Sequence, residues 1–290
     1  MVSHCNFNHK YAQIYFLKVV YYNFILLSFF IKNDLFDNKI FKISRKIIQS
    51  TWGSLPFVYD LITKCFYKKT DPILVQLFYK TKQQLLDNKK LIKVTDFGAG
   101  SKVFKNNERQ VSKIAKIAGL SNKKGKLLIR LIQYFKPNNL LEIGTSLGLG
   151  TSAIKIGNNK TNITTLEGCP ETSKIAENLF LKNNYKNIQI ITGDFKETLP
   201  KAVKNQQFDC IYFDGNHTKK DTLHYFNTCL ETVTNNSVWI FDDIYWSDEM
   251  QEAWAEIKNH KKVTVTVDVF YWGIVFFRKE QEKEHFKIRV

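Results

Sequence analysis

Short apolar runs alternate with amphipathic stretches throughout the second half of the chain, after Pro137. This alternation is typical of a mostly parallel β-sheet whose strands are joined by crossover helices. Residues 270–273 are too few to form a crossover helix between the last two runs, which should therefore pair as an antiparallel hairpin at the sheet edge. The seven predicted strands are Leu140–Ile143, Ile163–Leu166, Ile188–Thr192, Cys210–Phe213, Val238–Phe241, Val263–Val269 and Ile274–Phe277. We therefore predict an α/β fold that ends in an antiparallel hairpin.

The first half of the chain has a different pattern. Apolar residues at helical spacing, such as Ile40, Ile43 and Ile47, predict a helical region over residues 34–125. The change of pattern divides the chain into three predicted parts. These are a hydrophobic N-terminal segment over residues 1–33, the helical region 34–125 and the α/β domain 126–290.

The N-terminal segment contains an apolar stretch over residues 11–31. Its length is about that of a membrane-spanning helix, but Lys18 and Asn23 interrupt it. Three interpretations are open: a membrane anchor, a helix docked on the body of the protein, and a poorly ordered tail. Membrane contact through residues 11–31 is therefore an alternative that the sequence allows.

Charge is distributed unevenly along the chain, whose net charge is +16. Residues 1–136 carry 25 Lys and Arg against 7 Asp and Glu, or +18, which leaves −2 for residues 137–290. The excess is mostly Lys scattered among Asn and Ile, which argues against specific nucleic-acid recognition because phosphate sites favour Arg. The five cysteines form no CxxC pair, which indicates a reducing compartment and predicts a cytoplasmic protein.

A glycine-rich turn follows the first predicted strand and leads directly into a predicted helix. Glycines at positions 144, 148 and 150 allow a tight turn and the close approach of a ligand to the helix N-terminus. The second strand ends at Glu167, whose carboxylate can accept hydrogen bonds from both hydroxyls of a ribose. The third strand ends before Asp194 and Phe195, where Asp194 can bind an adenine amino group and Phe195 can lie against the ring.

These motifs together resemble the class I S-adenosylmethionine-dependent methyltransferases. The resemblance covers roughly residues 126–290 and implies a Rossmann-like seven-stranded sheet, preceded here by the basic helical region. It also implies S-adenosylmethionine as cofactor, with the glycine-rich turn at its methionine part, Glu167 at its ribose and Asp194 at its adenine. The residues expected around the cofactor are Glu142, Gly144, Thr145, Ser146, Gly148, Gly150, Thr151, Glu167, Gly168, Asp194, Phe195 and Asp214.

A dinucleotide-binding protein is the rival interpretation of the same turn. Residues 148–153 alone fit a GxGxxA pattern. The pattern begins four residues after Gly144, where the strand has already ended, whereas a dinucleotide-binding turn begins at the strand end. The sequence therefore favours the methyltransferase.

Three aspartates are expected to meet at the carboxyl edge of the sheet. Asp214 follows the fourth predicted strand, and Asp242 and Asp243 follow the fifth. Crowded carboxylates commonly bind a hard divalent cation, so Mg²⁺ held by these three residues is a candidate. The spacing is similar to that of the metal-dependent O-methyltransferases of catechol type, and closer to the cephalosporin-hydroxylase-like and rhamnosyl O-methyltransferase branch. In this pattern Asp214 and His217 are the candidate catalytic residues, with His217 in the place of the catechol-type lysine base.

The sequence favours oxygen as the methyl acceptor. No two prolines are adjacent, so the Asn/Asp-Pro-Pro-aromatic tetrad of amino-methylating relatives is absent. We expect a small molecule or a glycan as the acceptor. The alternative is a non-catalytic nucleotide-binding or scaffold protein whose basic front half binds a membrane or RNA.

Overall fold

A computed structural model of the chain describes residues 55–95 and 106–290. The apolar stretch 11–31 and the start of the predicted helical region lie outside the described residues. In the described ranges, no helix has both the length and the apolar character needed to cross a membrane.

The strands fall into one large sheet and one small hairpin. Strands β1 and β2 pair with each other in antiparallel fashion, and the other eight form a single sheet. The strands are β1 (Leu91–Lys93), β2 (Glu108–Gln110), β3 (Asn139–Ile143), β4 (Asn162–Glu167), β5 (Ile188–Thr192), β6 (Cys210–Phe213), β7 (Val238–Asp242), β8 (Val265–Asp268), β9 (Trp272–Phe276) and β10 (Glu284–Lys287).

The order of strands in the large sheet is β10-β8-β9-β7-β6-β3-β4-β5. Strands β3 to β7 run parallel to one another, while β9 runs antiparallel to both β7 and β8. Every residue of β6 and β7 is buried, as expected for parallel strands covered on both faces. The α/β fold and the C-terminal antiparallel hairpin are confirmed.

The prediction of seven strands was wrong by one. An eighth strand, β10, pairs in parallel with β8, so that Glu284 lies opposite Val265 and the β8–β9 hairpin does not form the sheet edge. Its residues alternate between half-buried and exposed positions. Such a polar edge strand lacks the continuous apolar run from which the other strands were predicted.

Helices flank the large sheet and also precede it in the chain. A short π-helical turn over Ile62–Phe66 follows the first helix, and a 3₁₀ turn over Leu230–Thr232 follows the helix Lys219–Cys229. The helices are α1 (Leu55–Leu61), α2 (Pro72–Leu86), α3 (Val111–Ile117), α4 (Asn122–Phe135), α5 (Leu149–Gly157), α6 (Pro170–Lys182), α7 (Phe195–Val203), α8 (Lys219–Cys229) and α9 (Asp248–Asn259). Helix α4 crosses the expected boundary between residues 125 and 126.

Two hydrophobic layers lie on opposite faces of the sheet. Because successive side chains of a strand point to opposite faces, Leu140 joins one layer and Leu141 the other. The layer of Leu140 also contains Phe78 of α2 and Leu128 of α4, so the helices of the front half share a core with the sheet.

Helices α2 and α4 approach each other most closely at Gly125. A Cβ atom at this position would lie 2.3 Å from Cζ of Phe78, whose side chain is fully buried. The contact therefore requires a residue without a side chain. It fixes the N-terminal end of α4, where Lys124 also lies.

We predict that Gly125→Ala destabilises the protein by up to about 2 kcal/mol. Alanine favours a helix over glycine by about 1 kcal/mol, but overpacking a buried contact costs about 1–3 kcal/mol. Urea unfolding of the full chain measures the difference. Phe78→Leu is the second substitution of a double-mutant cycle, because the smaller leucine side chain makes room for the new methyl group. If Gly125→Ala costs the same with and without Phe78→Leu, the Phe78 contact is not the cause.

Candidate active site

The glycine-rich turn between β3 and α5 packs directly on the loop that follows β6. Gly144 has φ +106°, and a Cβ atom there would lie 2.3 Å from the backbone oxygen of Asp214. Gly148 has φ +82° and caps α5, and a Cβ atom there would lie 2.6 Å from the ring of Phe180. Both positions therefore need glycine, and the turn is held at the carboxyl edge of the sheet.

Glu142 lies inside β3 and is completely buried. Its Oε2 accepts hydrogen bonds from the hydroxyls of Thr151 and Thr165, the latter at 2.7 Å. Among the described residues, its Oε1 has no hydrogen-bond partner, and it lies 2.6 Å from where a Cβ atom of Gly150 would be. Burial raises the pKa of Glu142 from 4.5 to about 7, against the opposing effect of the two hydroxyls.

Glu167 connects the end of β4 to the glycine-rich turn. Its Oε2 accepts a 2.6 Å hydrogen bond from the backbone N–H of Ser146, while its Oε1 accepts from the N–H of Cys169 and the hydroxyl of Thr172, both at 2.9 Å. Burial raises the pKa of Glu167, and these hydrogen bonds, with one from the N–H of Gly168, act in the opposite direction. A hydroxyl pair between Thr145 and Thr165, 2.6 Å apart, joins the same two segments.

Asp194 and Phe195 follow β5, further along the same edge. Asp194 caps helix α7, because one carboxylate oxygen accepts a 2.9 Å hydrogen bond from the N–H of Lys196. Phe195 is buried, with its ring edge against Tyr225 at a centroid distance of 5.9 Å. The same ring lies against Gly215, where a Cβ atom would be 2.7 Å from it. Asp194 is only half-buried and keeps its second oxygen for a ligand.

The three expected aspartates do come together at this edge. Burial, followed by the charge of Asp242, raises the pKa of Asp214. The pKa of Asp243 is also raised, first by burial and then by Asp242. Nε2 of His217 lies 3.7 Å from Oδ1 of Asp214, so the two candidate catalytic residues are neighbours.

Left-handed backbone conformations cluster in the loops of this site. Ser146, Asn216, His217 and Asp243 have φ between 41° and 65°. A residue other than glycine in this region commonly costs about 1–3 kcal/mol, and such residues concentrate where a loop is shaped for function. The loops after β3, β6 and β7 therefore each contain a residue held in a costly backbone conformation.

Lys124 is a member of the site that the sequence did not predict. Its Nζ lies 2.5 Å from Oδ1 of Asp242 and 3.0 Å from Oδ1 of Asp243, and only 19% of its side chain is exposed. Burial alone would lower the pKa of Lys124, but Asp242 and Asp243 outweigh burial and raise it. The lysine stays charged and neutralises the aspartates.

Tyr212 is a second member that sequence patterns did not single out. The residue is fully buried in β6, and its hydroxyl donates a 3.1 Å hydrogen bond to Oδ2 of Asp242. A tyrosine in an apolar run is indistinguishable from a core residue until its hydroxyl has a partner. Lys124 gave no signal because nothing in its local sequence identifies a partner in β7.

The described residues do not fit the expected Mg²⁺ site. Within residues 55–95 and 106–290, no group of three or more His, Cys, Asp or Glu side chains is arranged to hold a metal ion. The ammonium of Lys124 lies between Asp242 and Asp243 instead. Asp242 uses both carboxylate oxygens in hydrogen bonds with Lys124, Tyr212 and the N–H of Asp243. The assignment of Asp214, Asp242 and Asp243 as metal ligands is therefore not supported.

Known proteins match the segment that carries these residues. Residues 141–244 match a family model described as a methyltransferase domain. The matched segment begins in β3 and ends just after β7, so it includes the glycine-rich turn and all three aspartates. Over these residues the chain is similar to a methyltransferase domain, the class I type expected from its sequence motifs. Its sheet, with the antiparallel β9 between β7 and β8, confirms the fold expected for that class.

One curated relative and two solved structures are also similar to this chain. An O-methyltransferase of Aspergillus hancockii is 30% identical over 128 residues, which are 42% of this chain and 50% of the relative. The chain thus spans about half the length of the curated relative it matches.

The solved structures are similar in fold at low sequence identity. The SAH-bound methyltransferase PaMTH1 of Podospora anserina is 17% identical with a TM-score of 0.52, and the alignment covers 86% of this chain and all of the other. The O-methyltransferase TomG of Streptomyces achromogenes, solved in complex with SAM, is 14% identical with a TM-score of 0.50, covering 79% of this chain and 98% of TomG. At these identities the likeness establishes the fold.

We predict that Glu142 makes the free energy of unfolding pH-dependent. Its pKa of about 7 in the folded protein lies above the ordinary value of 4.5, so the folded state binds more protons between these values. This contribution to stability is therefore present at low pH and is lost as the pH rises through 7. Relative to wild type, Glu142→Gln should gain up to about 3 kcal/mol between pH 4.5 and 8.

Urea unfolding of both proteins across this pH range measures the effect. Glu177→Gln, an exposed position on α6, is the matched control and should follow wild type. Parallel curves for Glu142→Gln and wild type would show that Glu142 is ionised in the folded state throughout.

Proposed function

We propose that this chain is an S-adenosylmethionine-dependent methyltransferase that methylates an oxygen of a small molecule. The observation that carries the proposal is the juxtaposition of the fixed glycine-rich turn with Asp214 and His217 at one edge of the sheet. A methyl donor and a group that accepts a proton must lie side by side for this reaction. The Aspergillus hancockii relative, named as an O-methyltransferase, supports the same class.

The residues around the turn fit S-adenosylmethionine. The buried Oε1 of Glu142, which lacks a hydrogen-bond partner among the described residues, can accept from a donor that the ligand supplies. Glu167 is held by backbone N–H groups in an orientation suited to ribose hydroxyls, and the free oxygen of Asp194 suits an adenine amino group. S-adenosylmethionine, when bound, supplies an electrophilic methyl group on its sulfonium sulfur.

His217 and the aspartates prepare the acceptor in this proposal. His217 accepts the proton of the acceptor hydroxyl through Nδ1, because its Nε2 faces Asp214. Asp214 holds the imidazole in place and stabilises its charged form once the proton has moved. The side chain of His217 is 26% exposed, so an acceptor can reach its ring.

The loop after β6 favours an oxygen acceptor over an amine. Its sequence is Asp214-Gly215-Asn216-His217, with none of the prolines that amino-methylating relatives carry there. Asn216 donates to the hydroxyl of Tyr225 at 2.5 Å, so its amide supports the loop. The residue left to act on the acceptor is a base, which a hydroxyl requires for efficient methylation.

We place the methyltransferase domain at residues 126–290, behind a helical region at 34–125 that contributes Lys124. The shared core of α2, α4 and the sheet supports a single folded body for the described residues. We propose that the protein acts in the cytoplasm without nucleic acid as a partner, since residues 137–290, which carry most of the site, have a net charge of −2.

Binding of S-adenosylhomocysteine tests the cofactor assignment. We expect the full chain to bind it in calorimetric titration, and Glu167→Gln to weaken binding about 10- to 100-fold because charged hydrogen bonds contribute about 1.5–3 kcal/mol. The matched control is Glu177→Gln, on the exposed side of α6, which should bind like wild type. A wild-type protein that shows no heat of binding overturns the proposed function.

Substitution of His217 tests the proton acceptor. We expect His217→Gln to lower kcat for methyl transfer about 10²- to 10⁴-fold while the affinity for S-adenosylhomocysteine stays unchanged. His224→Gln, on the exposed face of α8, is the control for loss of a histidine. Acceptors are screened by release of S-adenosylhomocysteine. A His217→Gln enzyme with wild-type kcat would assign the proton transfer to another group.

A further inference from the structure

Lys124 occupies the position that a divalent cation would need. Its Nζ lies 2.5 Å and 3.0 Å from the Oδ1 atoms of Asp242 and Asp243. Mg²⁺ requires oxygen ligands at about 2.0–2.1 Å in octahedral geometry, which the ammonium prevents while it lies between the two carboxylates. The cation and the lysine therefore compete for the same oxygens.

The position of Lys124 is fixed by its own helix. It lies in the first turn of α4, which Ser121 caps by accepting a hydrogen bond from the N–H of Lys124 at 3.2 Å. The next residue, Gly125, packs on the buried ring of Phe78. The Nζ atom also lies 5.8 Å from the centroid of the Tyr271 ring, within the range of a cation–π contact. Lys124 is thus a positioned, mostly buried cation.

The ammonium has a donor left for a ligand. A lysine ammonium carries three N–H groups, and Asp242 and Asp243 accept two of them. Nζ has no third acceptor among the described residues, and 19% of the side chain is still exposed. The third N–H can therefore reach an oxygen that arrives from outside.

We propose that Lys124 is the resident cation of this site in place of a divalent metal ion, and that its free N–H group binds the acceptor oxygen. Binding of the acceptor oxygen by Lys124 rests on the proposed function. Replacement of a divalent metal ion by Lys124 concerns only the carboxylates. Lys124 neutralises Asp242 and Asp243, as a metal would, but from a helix of the front half of the chain. The site accordingly has no requirement for Mg²⁺.

Binding of Mn²⁺ tests the proposal without any need for turnover. Electron paramagnetic resonance of free Mn²⁺ measures bound metal as a loss of signal, with the full chain as the sample. We expect no bound Mn²⁺ for wild type, because the ammonium holds the carboxylates. Lys124→Met removes the charge and retains a chain of similar length, so it should bind one Mn²⁺ with an affinity about tenfold or more above wild type.

The controls separate a specific effect from a general change of charge. Lys123→Met removes the neighbouring exposed lysine and should behave like wild type, and so should Lys124→Arg, which keeps a cation. Far-ultraviolet circular dichroism reports whether each variant is folded. In Lys124→Met, the added Asp242→Asn should abolish the new Mn²⁺ site.

The outcomes decide between the lysine and the metal. One Mn²⁺ bound by wild type and lost in Asp242→Asn overturns the proposal, and this measurement does not depend on any lysine variant. A folded Lys124→Met that binds no Mn²⁺ also overturns it, since the carboxylates would then not form a cation site. Calorimetry with S-adenosylhomocysteine is a separate readout, so a failure of the proposed function is recognised independently.

Discussion

Neighbouring parallel strands end side by side, and in this protein their ends bring carboxyl groups into one small volume. Glu142, Glu167, Asp214, Asp242 and Asp243 all lie at or near the same edge of the sheet. A buried charge without a partner costs several kcal/mol, so each of these groups needs its own neutralisation. Hydroxyls bind Glu142, backbone N–H groups bind Glu167, the Tyr212 hydroxyl donates to Asp242, and an ammonium lies against Asp242 and Asp243. The surrounding structure is arranged to meet this requirement.

These carboxyl groups differ in whether their surroundings suit a change of protonation. Glu167 keeps its hydrogen bonds to a rigid turn, which suits a group that binds a ligand without changing its own protonation. The charge of Asp242 raises the pKa of Asp214, which lies next to His217. This position suits a group whose neighbour gains and loses a proton. In the proposed function, the cofactor side and the reaction side of the site therefore have different electrostatic character, although they share one edge.

Local patterns and long-range contacts differ in what they allow to be predicted from this sequence. Strands β3 to β7 were predicted with ends within one residue, and β6 and β7 are apolar in runs that reflect burial on both faces. The convergence of Asp214 and Asp242 followed from strand order alone. Strand β10 was missed because half of its residues face solvent. Lys124 was missed because its partner depends on how α4 packs, which is decided by a glycine and a buried phenylalanine rather than by periodicity.

The ion pair between Lys124 and Asp242 also has a consequence for the order in which the protein is made. The two residues are 118 positions apart, and four strands of the sheet lie between them in the chain before β7 is complete. A nascent chain that has emerged only through β6 already carries Lys124 and Asp214 but not yet Asp242 or Asp243. Contacts of such long sequence separation form late in folding. The ion pair is therefore absent from every nascent chain that ends before Asp242.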